Sequence, residues 1–149
     1  QTTLSMDETK DIVDALKIKF PSVKSPKKED ICYATQNRQV AVKSMLDHID
    51  ILVVVGSQNS SNSNRLCELA TNSGIDSYLV DGPSDVDCLW FVDKNVCGVS
   101  AGASAPEYIV QDIVKKISLI CDGDVEVEEF EGIKEEVHFP LPKLLRMKI

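Results

Sequence analysis

The chain has 149 residues, 43% of them apolar, which is enough for one sizeable core and points to one domain with appendages. Its formal net charge is −8, and no basic face is long enough to follow a phosphate backbone, which excludes nucleic acid as an expected partner. No apolar stretch approaches the length of a membrane span and no secretory leader is visible, so a cytoplasmic setting is the expectation.

In chain order, Ser5-Met6-Asp7-Glu8 has the form of a capping box and opens a predicted helix that runs to about Phe20, with Ile12, Val13, Leu16 and Ile18 as its apolar positions. Pro21 ends it, and the Lys-, Ser- and Pro-rich residues 21–30 read as a linker. Residues 30–33 then read as a short strand, followed by a helix over about 36–48 with Val42, Met45, Leu46 and Ile49 as its stripe. The apolar run 51–55 predicts a buried strand. A helix over 63–72 follows, closed by Ser73-Gly74. Residues 77–80 predict a third strand, 84–91 a shorter helical piece, 96–99 a fourth strand, and 105–121 the longest helix, with Ile109, Ile113, Ile117 and Ile120 at helical spacing. Strict alternation of strand and helix implies an α/β fold, here a four-stranded parallel sheet flanked by helices. Beyond Cys121 the pattern changes: residues 125–130 alternate apolar and acidic in the manner of an edge strand, and Phe139-Pro140-Leu141-Pro142 reads as an extended tail. The expected division is therefore 1–29, the end of a preceding lobe and a linker; 30–122, the α/β lobe; and 123–149, the C-terminal tail.

Gly56-Ser57-Gln58-Asn59-Ser60-Ser61-Asn62-Ser63-Asn64 lies directly behind the strand at 51–55 and carries four Ser and three Asn in nine residues. In an open α/β sheet the ligand crevice lies at the carboxyl ends of the strands, and hydroxyls, amides and a helix N-terminus there can hold a phosphate without a lysine. A capped connection needs the same residue types, and that reading stays open. A second loop, Ser100-Ala101-Gly102-Ala103-Ser104-Ala105-Pro106-Glu107, has the same design. Ser104 reads as an N-cap and Glu107 as its capping-box partner, while Gly102 lets a ligand approach the backbone.

Cys32 takes the corresponding position on the strand predicted at 30–33, where a thiol can point into the same crevice and gains thiolate character from the helix that follows. A small buried residue is the plainer fate of a cysteine. The five cysteines include no C-x-x-C pair and suggest a reducing compartment rather than a disulfide framework. Cys67 and Cys97 read as buried, Cys88 and Cys121 as packing positions, and Trp90 as core. His48 and His138 have no evident nucleophile or carboxylate partner, so no catalytic triad is assigned.

Four segments in order, Gln1-Thr2-Thr3-Leu4-Ser5, Ile31-Cys32-Tyr33-Ala34-Thr35-Gln36-Asn37-Arg38-Gln39, Gly56 through Leu66, and Ala101-Gly102-Ala103-Ser104-Ala105-Pro106, resemble the 4-hydroxy-3-methylbut-2-enyl diphosphate reductase (LytB) family over nearly the whole chain. The resemblance implies a three-lobed α/β enzyme with a 4Fe–4S cluster held on three cysteines, one per lobe, that reductively removes the substrate hydroxyl to give isopentenyl and dimethylallyl diphosphates. It implies Cys32 as one cluster ligand, and Ser60, Ser61, Asn62 and Ser104 as the grip on the diphosphate. It also implies Thr2 at the reacting end, and a ferredoxin or flavodoxin as electron donor. The chain matches about the second half of that family's sequence, so two cluster cysteines and the histidine- and glutamate-bearing motifs are expected in a missing N-terminal half. Alone, the chain is expected to lack a competent site, and its first helix and tail to expose apolar surface. The rival expectation is a stand-alone diphosphate-binding or interaction module without redox activity.

Overall fold

The structure, a computed structural model, describes residues 5–25, 32–121 and 125–130. Among these, α1 (Met6–Lys19) and α2 (Tyr33–Met45) precede β1 (Ile51–Val55), α3 (Ser61–Asn72), β2 (Asp76–Val80), β3 (Cys97–Ala101) and α4 (Glu107–Ile120). The three strands form one parallel sheet in the order β2-β1-β3. In register, Ile51 stands opposite Asp76 and Cys97, and Val55 opposite Val80 and Ala101.

Every residue of β1 is buried, as a central strand covered on both faces requires. Successive side chains point to opposite faces, so the strand feeds two cores. Leu52 and Val54 pack with Val42, Met45 and Ile49 and with Leu66 and Ala70 of α3. Val53 and Val55 pack with Val80, Val86 and the α4 residues Ile113 and Ile117. Helices α2 and α3 thus lie on one face and α4 on the other. Ser73-Gly74 closes α3 as expected: Gly74 takes φ 81°, its N–H donates to Thr71 O, and Ile75 N–H donates to Ala70 O, both at 3.0 Å. At the opposite end of the sheet, the Asp50 carboxylate accepts from the N–H groups of Asn95 (2.8 Å) and Val96 (3.0 Å), which anchors the start of β3 beside β1.

Several expectations are corrected. The described sheet has three strands rather than four. Of the strand expected at 30–33, residues 30 and 31 lie outside the described residues, Cys32 is the N-cap of α2, and Tyr33 is already helical. A short apolar run ahead of a helix cannot be told from the helix's own first turn by periodicity. Here the N–H groups of Thr35 and Gln36 both return to Cys32 O, so the helix starts earlier than the stripe suggests. The helical piece at 84–91 resolves into two short 3-10 turns, Pro83–Asp85 and Cys88–Phe91. Residues 125–130 are exposed and form no strand: alternation supplies a period, but among the described residues no neighbouring strand supplies the partner. Trp90 is half-buried against the α4-side core and also stacks on Tyr78, with ring centroids 4.0 Å apart.

Helix α1 is attached in an unusual way. It buries none of its own side chains, and Ile12, Leu16, Ile18 and Phe20 are exposed. Its fastening is polar: Gln39 Oε1 accepts from Met6 N–H at 3.1 Å, Lys43 pairs with Asp7, and Arg65 pairs with Glu8 at 3.3 Å. Ser5 does cap the helix by position, but its side chain makes no capping bond, and the Glu8 side chain is turned to Arg65 rather than back to Ser5. The exposed apolar positions on α1 match the expectation for this helix.

Candidate functional site

The topology places a crevice. The loop after β1 leads into α3 on one face and the loop after the adjacent β3 into α4 on the other, so the two diverge at the carboxyl edge of the sheet, where open α/β folds bind ligands. Helix α2 enters β1 through one short turn, Leu46–His48, and therefore runs back along the sheet. Its 13 residues span about 20 Å, close to the roughly 17 Å of a five-residue strand, which brings the Cys32 end to the same edge.

The first loop is internally braced. Ser60 N–H donates to Ser57 O at 2.8 Å, and the Asn64 amide donates to Gln58 O (2.8 Å) and Ser60 O (3.0 Å). Ser60 is the N-cap of α3, accepting from Ser63 N–H at 3.3 Å and also from the Ser63 hydroxyl at 3.1 Å. Asn62 follows on the first turn, only 8% exposed, and both its amide nitrogen and its amide oxygen are buried without a hydrogen-bond partner. Such a group costs about 1–3 kcal/mol, so a native fold keeps one where something else completes it. Ser61, the first residue of α3, is exposed.

The second loop adjoins the first. Gly102 N–H donates to Val55 O at 2.8 Å, carrying the β1–β3 pairing one residue past the strands. Gly56 and Gly102 both border the buried Ser63, and a Cβ on either would overlap its hydroxyl. Ser104 is exposed two residues beyond Gly102, but it does not cap α4. Pro106 holds the cap position, and Glu107 accepts from Gln111 at 2.9 Å instead of closing a box. The reason is steric: a residue before proline is driven out of the helical region, so Ala105 cannot be the first turn that a Ser104 cap requires. The Ser104 hydroxyl makes no capping bond to α4. Sequence reading missed Ser63 as a member of this arrangement. The available signal was a glycine behind each of two strands facing a small residue on the intervening helix.

Cys32 is exposed at the N-terminal end of the 13-residue α2, and three residues on, the buried Thr35 hydroxyl has no partner. The other thiols differ. Burial pushes Cys67 up to about 11 and Cys97 up to about 12, and Cys97 lies at the amino end of β3, away from the crevice. Cys88 and Cys121 were expected to pack but are exposed, because one sits on a solvent-facing 3-10 turn and the other at the C-cap of α4. Among the described residues no group of three or more His, Cys, Asp or Glu is arranged to hold a metal ion. Thr2, His138 and the Phe139-Pro140 segment lie outside the described residues. Among the described residues no helix is long and apolar enough to cross a membrane.

The LytB protein family model matches residues 1–118. The chain belongs to the LytB family. A relative from Francisella tularensis subsp. novicida, named 4-hydroxy-3-methylbut-2-enyl diphosphate reductase, is 74% identical over all 149 residues, which cover 47% of that protein. One of the same name from Francisella philomiragia is 70% identical over the same span. Among solved structures, the E-1-hydroxy-2-methyl-but-2-enyl-4-diphosphate reductase from Plasmodium falciparum matches 99% of this chain and 46% of its own, with a TM-score of 0.87 at 34% identity. An (E)-4-hydroxy-3-methyl-but-2-enyl diphosphate reductase structure matches 80% of this chain and 42% of its own, at a TM-score of 0.58 and 28% identity. The chain thus spans about half the length of the LytB relatives it matches. Both polar loops and the Cys32 helix fall inside the segment that the family model covers.

Proposed function

We propose that this chain is the diphosphate-gripping portion of a 4-hydroxy-3-methylbut-2-enyl diphosphate reductase, with one thiol of its iron–sulfur site. The observation that carries the reading is Asn62: a buried amide with no partner, at the N-terminus of a 12-residue helix and at the crevice edge of the sheet. The donor set suits a diphosphate. Ser60, Ser61 and Asn62 stand at the N-terminus of α3, the positive end of its dipole, and Ser104 is exposed on the adjoining loop. Uncharged donors on two braced loops fix the orientation of the anion, so the reacting end of the substrate is placed by the grip on its other end. Thr2, preceding α1, belongs at that reacting end.

The donor chemistry at Cys32 fits one ligand of a 4Fe–4S cluster: an exposed thiol at a helix N-terminus, beside a buried hydroxyl that still lacks a partner. When bound, such a cluster supplies the electrons for removal of the substrate hydroxyl as water, and burial with sulfur hydrogen bonds sets its potential. The remaining ligands and proton-delivering groups are assigned to the N-terminal half of the reductase, and the electron source to a ferredoxin or flavodoxin. The family's reductase names support this reading over a module without redox activity.

Calorimetry with inorganic diphosphate tests the grip. Asn62→Ala is expected to weaken binding by about 10- to 100-fold, the range for hydrogen bonds to a charged group. Binding equal to wild type would overturn the assignment. The thiol is tested by joining the chain to the N-terminal half of its 74%-identical relative and reconstituting anaerobically with iron and sulfide. Cys32→Ser is expected to lose the cluster absorbance and the reductase activity together, and retention of both would remove Cys32 from the ligand set.

A further inference from the structure

Ser63 lies against both glycines of the crevice and bonds to the cap residue of α3. It is 1% exposed, and its backbone N–H and its hydroxyl both donate to the same atom, Ser60 Oγ, at 3.3 and 3.1 Å. A hydroxyl oxygen has two acceptor sites and one proton. With both acceptor sites of Ser60 occupied by Ser63, the Ser60 hydroxyl has only its proton left to offer. We infer that Ser63 is a positioning residue for the diphosphate grip: wedged between Gly56 and Gly102, it fills the acceptor sites of Ser60 and so turns that hydroxyl into a fixed donor toward an anion.

Three features of the site make sense on this footing. Donors in series polarise one another, so a hydroxyl that already accepts two bonds donates a stronger third. Gly56 and Gly102 are both constrained by the Ser63 hydroxyl, since a Cβ on either would overlap it, so the wedge also sets the separation of the two loops. Gly102 N–H is held on Val55 O at 2.8 Å, which ties that separation to the central strand. The role requires a side chain no larger than serine that carries a hydroxyl. Threonine adds a methyl at a position only 1% exposed, and alanine leaves Ser60 free to rotate.

The inference rests on the diphosphate reading, and a thermodynamic cycle separates the two. With the full chain and inorganic diphosphate as probe, Ser60→Ala, Ser63→Ala and the double variant are compared by calorimetry, with urea midpoints measured in parallel. Ser63→Ala is expected to weaken binding about fivefold, the net worth of one hydrogen bond. The double variant is expected to bind no more weakly than Ser60→Ala alone, because Ser63 acts through Ser60. Losses that multiply would overturn the positioning role, since a general loosening of the loops does not depend on Ser60. Should Ser63→Ala fold poorly, the χ1 couplings of Ser60 in the wild-type chain report directly by NMR: a single rotamer supports the role and averaging overturns it. Failure of the wild-type chain to bind diphosphate at all would overturn the grip and this role together. Binding lost in Asn62→Ala but unchanged in Ser63→Ala would overturn this role alone.

Discussion

The cysteines show how little a residue's identity says about its chemistry without its surroundings. Cys67 and Cys97 sit in apolar surroundings that disfavour the thiolate, which raises them to about 11 and about 12. Cys32, Cys88 and Cys121 are exposed. Alkylation at pH 8 followed by mass spectrometry is therefore expected to label these three and to spare Cys67 and Cys97. The same shifts have a consequence for stability. A folded thiol raised above its unfolded value holds its proton longer than the unfolded chain does, so its contribution is complete below about pH 8.5 and is lost as pH rises through the folded values. The urea midpoint is expected to fall between pH 8 and pH 11, and to fall less steeply in Cys97→Ala. Position in the sequence had already set Cys32 apart from the other four. Exposure of Cys88 and Cys121 was not legible, because both lie where short turns, rather than a long periodic element, decide which way a side chain faces.

At the scale of elements, the β1 run and the two loops behind β1 and β3 were readable because a fully apolar pentapeptide followed by small polar residues has few other uses. The Ser104 cap was misread for a local reason: the proline two residues on vetoes a helix start at Ala105, and this restriction outweighs the preference of serine for caps. Helix α1 was readable as a helix, but its manner of attachment was not. Its apolar stripe was expected to lie exposed and does, but nothing in the sequence showed that its contacts to α2 and α3 run through Gln39, Lys43 and Arg65. Exposed ion pairs are worth about 0–1 kcal/mol each, so the Gln39 bond to the first turn carries weight out of proportion to its number. Gln39→Ala is expected to raise hydrogen exchange across α1 by roughly fivefold, the worth of one hydrogen bond, while the amides of β1 stay protected. Equal exchange in wild type and Gln39→Ala would place the attachment elsewhere.

For the molecule as a whole, the two cores on either side of β1 account for the fold, and the exposed apolar residues of α1 stand apart from both. Several large apolar side chains exposed on one helix suggest a surface that something covers. The chain spans 47% of its relative from Francisella tularensis subsp. novicida, and the proposal that the remaining half contributes to the site gives that surface a natural neighbour. The chain alone is expected to bind an environment-sensitive apolar dye, with Ile12→Lys and Leu16→Lys reducing the signal. Mixing with the N-terminal half of the relative is expected to quench it, and an unchanged signal in the mixture would count against cover by that half.

The polar fastening of α1 gives dissolved salt two opposite effects on one helix. Added electrolyte screens Asp7 from Lys43 and Glu8 from Arg65, and strongly hydrated salts such as sulfate at the same time tighten apolar burial. Ionic strength therefore works as a selector of allegiance. In dilute buffer the helix stays fastened to α2 and α3, and in concentrated sulfate its greasy side gains the stronger claim.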